Sequence, residues 1–263
     1  MKEQSNLTVI IPVHKLDETT KALYENAVKS VIAQNVQPDE LLIVVSPEAK
    51  EAVESVDYGD FKNNVRVLVN EGSTDFSSQV NLGVENTTTE WFVLLELDDE
   101  LSSIWLKNVI KYRSCYSDVN AFLPLIVDVN PAGEFIDLTN QPVWASEFSE
   151  ELGILDNQSL LRYQNFNFDG IAMKKESFQE FGGLKPSMKL TFIYEFLLRI
   201  TYNDARVMVI PKIGYKHINQ REGSLFHDYK SSLTQDEARW WMAQAKKEYF
   251  FVDDRKIVYE VTK

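Results

Sequence analysis

The chain alternates short apolar runs with segments whose apolar residues recur at helical spacing. Leu7 to Val13 reads LTVIIPV, a β-branched run that predicts a strand, and Thr19 to Ala33 then places Leu23, Ala27, Val28, Val31 and Ile32 along one helical face. The pattern repeats: a strand over Glu40 to Val45, a helical stretch over Glu48 to Val56, a strand over Val65 to Val69, a helix over Phe76 to Glu85 and a strand over Trp91 to Leu95. Such alternation predicts an α/β fold of parallel strands joined by crossover helices.

The runs LLIVV and FVLLEL are apolar on both faces, as strands covered by helices on both sides must be. In open sheets of this kind ligands bind beyond the carboxyl ends of the strands. The segments after Val13, Val45, Val69 and Leu95 are therefore expected to line one crevice. Further on, the pattern predicts a helix over Ile104 to Tyr116 and a strand over Ala121 to Val127. An aromatic, aperiodic loop or insertion is expected from Asn130 to Asn157. Helices follow near Lys175 to Phe181, Ile193 to Tyr202 and Gln235 to Phe250, with short strands near Val207 to Ile210 and Gly214 to Ile218.

Length and charge narrow the partners. At 263 residues and 44% hydrophobic content the chain suits one large domain. A net charge of −13 argues against a nucleic-acid partner. A small anionic ligand is still compatible with that charge if a metal and a few local cations neutralise it. The start of the chain is polar, and no apolar run reaches the ~18 residues a bilayer demands, so neither secretion nor a transmembrane segment is expected and a cytoplasmic location is. Cys115 is the only cysteine, which excludes an internal disulfide, and its aromatic helical setting predicts a buried thiol.

The densest candidate chemistry lies in WFVLLELDDEL, Trp91 to Leu101, where an apolar strand runs into Glu96, Asp98, Asp99 and Glu100. Crowded carboxylates repel one another without a cation. Glu96 and Asp98, two residues apart, project to one side of extended chain, and their oxygens suit Mg²⁺ or Mn²⁺. A solvated acidic turn is the plain alternative. The position of the cluster at the end of the fourth parallel strand favours a metal bridging the phosphates of a nucleotide diphosphate.

Several segments, in order, resemble glycosyltransferase family 2, whose fold is the GT-A type. LTVIIPVHK (Leu7 to Lys15), SVIAQ (Ser30 to Gln34) and PDELLIVV (Pro38 to Val45) resemble its opening strand, helix end and second strand. NEGSTDFSSQVNLG (Asn70 to Gly83) and LELDDEL resemble the segment leading to, and including, the aspartate-any-aspartate motif. GIAMKKESFQEFGG (Gly170 to Gly183), YEFLLRI (from Tyr194) and YKHINQREGS (Tyr215 to Ser224) resemble the acceptor border, the acidic helix and the closing loop.

The resemblance implies a single Rossmann-like GT-A domain over residues 1–263, with a nucleotide-sugar half to about 128 and an acceptor-side half beyond. It implies donor contacts from Pro12, Val13, His14, Ser46, Asn81, Glu96, Leu97, Asp98, His217 and Arg221. Metal ligation falls to Glu96, Asp98 and His217, acceptor-side contacts to Asp169 and Gly170, and the base role to Glu195. In this reading the metal offsets charge on the departing diphosphate while a carboxylate takes a proton from the acceptor hydroxyl, inverting the sugar carbon.

Three positions depart from the family pattern. Ser46 stands where an aspartate usually meets the nucleotide base, and Glu96 replaces the first aspartate of the metal motif. Phe192 and Ile193 occupy the usual paired acids, so Glu195 matches only a second acid. Glu195 also lies four residues before Arg199, a spacing that equally suits an ion pair. Asp169 has a turn-forming reading beside the sugar-binding one. Trp240, Trp241, Tyr249 and Phe250 are expected to pack on the domain or form a homo-oligomer contact. Beside sugar transfer to a glycan or other hydroxyl acceptor stand a catalytically silent GT-A scaffold, a nucleotide-sugar hydrolase and a nucleotidyltransferase. The last is disfavoured because VHKLDE, Val13 to Glu18, has no glycine.

Overall fold

The computed structural model describes residues 5–141, 153–164, 166–219 and 232–252. The first strands are β1 (Leu7–Val13), β2 (Glu40–Val45), β3 (Val65–Val69) and β4 (Trp91–Leu94). Their crossover helices are α1 (Lys21–Ile32), α2 (Lys50–Glu54) and α3 (Phe76–Asn86). β1 pairs in parallel with both β2 and β4, and β2 with β3. The helical stretch expected from Glu48 is shorter, because Ser46 caps a 3₁₀ turn over Pro47–Ala49 before α2 begins.

The second half adds β5 (Glu100–Leu101), α4 (Trp105–Cys115), β6 (Ala121–Val129), β7 (Phe135–Thr139), β8 (Ile154–Leu155), α5 (Asn157–Arg162), β9 (Ala172–Lys174), α6 (Lys175–Glu180), α7 (Phe192–Tyr202), β10 (Val207–Ile218) and α8 (Gln235–Glu248). The sheet order is β3-β2-β1-β4-β9-β6-β10-β5, with β7 on β6 and β8 on β10. β9 runs antiparallel between β4 and β6 and so joins the two halves into one sheet. This is the expected α/β, mostly parallel GT-A arrangement.

Successive side chains of β1 go to opposite faces, which is why its run is apolar throughout. Leu7, Val9, Ile11 and Val13 join a core with α1 and α4, while Ile10 joins Val80 and Val84 of α3, with Phe178 and the apolar face of α7. α3 sits close on the sheet at Gly83, where an added Cβ would lie 2.8 Å from Ile10 and 3.0 Å from Val44.

Three expectations are corrected. The segment from Asn130 to Asn157 is not wholly a loop, since β7 returns along β6 as a hairpin and β8 pairs with β10. The two late strands form one, β10, whose register shifts across the exposed Pro211, Lys212 and Ile213. Cys115 is exposed rather than buried, because it ends α4 on the side away from Trp105, Leu106 and Val109. Of the late aromatics, Tyr249 is buried while Trp240 and Phe250 are exposed.

Candidate active site

β4 ends at Leu94, and the chain carries Glu96, Asp98 and Asp99 out at its carboxyl end, where Leu95 is still held by a bond from its N–H to the Ile10 carbonyl (3.0 Å). β10 brings Tyr215 and His217 against them from the other half. The fully buried Asp99 carboxylate accepts from the Tyr215 hydroxyl (2.9 Å), the Ile218 N–H (2.8 Å) and His217 Nδ1 (2.9 Å). A carboxylate only accepts, so Nδ1 carries the proton and Nε2 is the nitrogen turned elsewhere. The Tyr215 oxygen also accepts from the Glu96 N–H at 3.1 Å, tying the acidic turn to β10.

Asp169 enters from the segment before β9. Asn140, buried and in left-handed backbone (φ 63°), holds that segment by donating to the Pro124 and Asn167 carbonyls (2.9 and 2.8 Å) and accepting from the Asn167 N–H. Asn167 in turn donates its side-chain amide to Asp169 Oδ2. The turn closes at Gly170 with φ +73°, where a Cβ would lie 2.7 Å from Tyr215, and its carbonyl accepts from the Trp105 indole at 2.9 Å. Only glycine takes that conformation in that space without strain.

Two carboxylate groupings result. Ligand atoms of Glu96, Asp98 and Asp99 lie within 4.8 Å of one another, as do those of Asp99, Asp169 and His217. Burial, then the charges of Asp169, Asp99 and Asp98, push Glu96 well above the carboxylate range. Burial also raises Asp169, partly offset by His217 and reinforced by Asp99, to about 7. Burial opposes charge on His217, yet Asp99 outweighs it and its pKa is pushed up to about 11. Among the described residues His217 and the oxygens of Glu96, Asp98, Asp99 and Asp169 make a set of hard donors that fits Mg²⁺ or Mn²⁺.

The remaining expected residues divide. Pro12 and Val13 are buried at the end of β1, with His14 just beyond and partly exposed, so all three stand at the carboxyl end of the sheet; Leu97 is buried within the acidic turn. Ser46 is also at a strand end, but it is buried and its hydroxyl oxygen accepts from the Ala49 N–H at 3.3 Å. Glu48, which could replace the missing base-contacting acid, is exposed. Asn81 does not face the crevice with a free amide: it donates to the Leu184 carbonyl (2.7 Å) and accepts from the Leu184 N–H (2.8 Å). It therefore pins the loop after the double glycine. Arg221 lies outside the described residues.

Glu195 takes the ion-pair role rather than the base role. It is fully buried on α7, and both its oxygens face Arg199 at 2.9 Å, with Lys185 3.0 Å from Oε1. Arg199 also donates to the Phe181 and Gly183 carbonyls, and Lys185 to the Glu248 carbonyl at 2.8 Å. A carboxylate so enclosed cannot meet an acceptor hydroxyl without breaking the core. Sequence reasoning missed Lys185 in this trio, and missed Tyr215, Asn140 and Asn167 around the acidic pocket. Only the i, i+4 spacing of Glu195 and Arg199 had announced the ion pair.

Fold and site together define a glycosyltransferase domain of the GT-A type. The sequence matches Glycosyl transferase family 2 over residues 8–174, and the chain belongs to that family. It is 24% identical over 230 residues to an uncharacterized glycosyltransferase of Haemophilus influenzae, covering 88% of this chain and 71% of that one. Among solved structures it resembles S. aureus TarS 1-349 in complex with UDP-GlcNAc, with a TM-score of 0.67 and 16% identity, covering 91% of this chain and 65% of that one. It also resembles GalNAc-T7 with UDP, GalNAc and Mn²⁺, with a TM-score of 0.59 and 16% identity, covering 82% of this chain and 44% of that one. The chain thus spans less than two thirds of the length of either structure. No described helix is long and apolar enough to cross a membrane.

Proposed function

We propose that this chain transfers a sugar from a nucleotide-diphosphate sugar to an acceptor hydroxyl, with a divalent cation and with inversion at the sugar carbon. The observation that carries the proposal is the meeting of Glu96, Asp98, Asp99, Asp169 and His217 at the carboxyl end of β4, the crevice end of a parallel sheet. Mn²⁺ or Mg²⁺, when bound, would offset the negative charge of a departing diphosphate. Glu96 and Asp98 of the acidic turn and His217 of β10, whose groupings meet at Asp99, would hold it.

The chain's own groups hold the reactants in place. Asp99, itself held by Tyr215, fixes the His217 ring, and the end of β1 offers Pro12, Val13 and His14 to the nucleotide while Ser46 caps the turn after β2. Gly170 lets the Asp169 turn pack closely on Tyr215 and Pro124, which in this reading borders the acceptor side. The likeness to structures holding UDP and UDP-GlcNAc makes uridine donors the first to try. The reading includes one domain over 1–263, supported by the continuous sheet, and a cytoplasmic location, supported by the single exposed thiol.

A second reading, a GT-A domain that binds donor without turnover, is favoured by a specific observation: Phe192 and Ile193 stand at the usual acid positions while Glu195 is locked to Arg199. Incubation with a panel of nucleotide sugars and hydroxyl acceptors, with Mn²⁺ or EDTA, separates the two. Transfer is expected to release nucleoside diphosphate only with metal and to give a product of inverted anomeric configuration by NMR. Donor binding without any consumption would establish the silent reading, and release of free sugar alone would indicate hydrolysis.

A further inference from the structure

Asp169 has an oxygen with nothing to do. The residue is 1% exposed, Asn167 serves its Oδ2, and its Oδ1 is buried with no hydrogen-bond partner. A buried carboxylate oxygen without a donor is costly, and cost of this kind is found where an ion or ligand completes the environment. Among the described residues the groups that act on Asp169 are His217, Asp99, Glu96 and Asp128, and Glu96 can meet it only through a proton shared between two carboxyl groups, a proton that a cation would displace. The position is also built rather than loose, since Asn140, Asn167, Trp105 and Gly170 hold the turn from four sides.

Asp99 contrasts with it. Its two oxygens already accept three hydrogen bonds, one of them from His217 Nδ1. A carboxylate that grips one ring nitrogen of a metal-binding histidine orients the other nitrogen toward the ion. Asp99 is therefore suited to position His217, while the open oxygen belongs to Asp169, whose ligand atom lies within 4.8 Å of those of His217 and Asp99. We propose that Asp169 is a direct ligand of the divalent cation, supplied from the acceptor-side half, with Asp99 the positioning residue behind His217. The inference rests on the metal-dependent reading above, and adds a carboxylate from the segment before β9 to the ligands from the acidic turn and β10.

The test is calorimetric titration of the metal-free full chain with Mn²⁺ alone, for the wild type, Asp169→Asn, Asp169→Ser and Asp98→Asn, with melting temperatures taken without metal. Both Asp169 variants are expected to bind Mn²⁺ at least ~10-fold more weakly. Their metal-free melting temperatures should match or exceed that of the wild type, since a repelling charge has gone. Mn²⁺ binding by both Asp169 variants within twofold of wild type, alongside loss in Asp98→Asn, would overturn this inference and leave the metal-dependent reading intact. A wild type that takes up no Mn²⁺ would overturn both.

Discussion

The protein buries carboxylates in two places and treats them in opposite ways. Glu195 sits among Arg199 and Lys185, with every oxygen met by a cation and the cations themselves bonded to the Phe181, Gly183 and Glu248 carbonyls. Glu96, Asp98, Asp99 and Asp169 gather around His217, and the Asp169 Oδ1 is buried without a hydrogen-bond partner among the described residues. The first cluster is complete and serves as a fastening between α7, the double-glycine loop and the end of α8. The second is incomplete and becomes sensible only with a ligand. Burial alone does not mark a functional carboxylate; unbalanced burial does.

The largest expected effect breaks the complete cluster. Arg199→Ala leaves Glu195 with a single partner in the core and should cost about 3–5 kcal/mol in urea unfolding. A loss below ~1 kcal/mol would show that the fastening is dispensable. Asn81→Ala removes the second attachment of the same loop, leaving the Leu184 N–H and carbonyl without it, and should cost about 1–3 kcal/mol. Donor affinity should fall less than for Asp98→Ala, because Asn81 faces Leu184 and not the crevice.

The incomplete cluster should respond with the opposite sign. Without metal, Glu96→Gln removes the cost of keeping a proton on a carboxyl that burial and its acidic neighbours hold above the carboxylate range, and should raise the melting temperature by on the order of 2–4 °C, while weakening the stabilisation that Mn²⁺ gives. A metal-free destabilisation would mean that Glu96 is held by donors after all. The pH response is smaller and follows from the same imbalance. Asp169 is raised from 3.8 to about 7, so the folded state binds the extra proton and stability is lost as pH climbs through that interval. His217, raised from 6.5 to about 11, contributes stability fully present below 6.5 and lost as pH rises toward 11. Both act in one direction, so the metal-free melting temperature should fall between pH 5 and pH 8, and Glu96→Gln should flatten that fall.

The parallel half was legible because its strands are buried on both faces and its helices are periodic. β1, β2 and β3 span the residues that their apolar runs mark out, and β4 differs by one residue. The hairpin strand β7 was not legible, since Phe135, Ile136 and Asp137 are all exposed and give no alternation. The break at Pro211 to Ile213 in β10 mimics the end of a strand although the ladder resumes beyond it. At the site, LELDDEL showed which residues gather but not their separate tasks. That Asp99 serves His217 depends on a contact 118 residues away in sequence. Lys185 reaches Glu195 across a loop of no fixed period, so only the Arg199 half of that cluster could be read from spacing.

The most direct test of the central claim, that the unbalanced cluster is a metal and nucleotide-diphosphate site, is thermal shift of the wild type and Asp98→Ala with nucleoside diphosphates, each with Mn²⁺ and with EDTA. A ligand that binds only the folded state raises the melting temperature. The account predicts a rise for the wild type that needs metal, selects one nucleotide, and disappears in Asp98→Ala. An equal rise in EDTA or in Asp98→Ala, or no rise with any nucleotide, would contradict it.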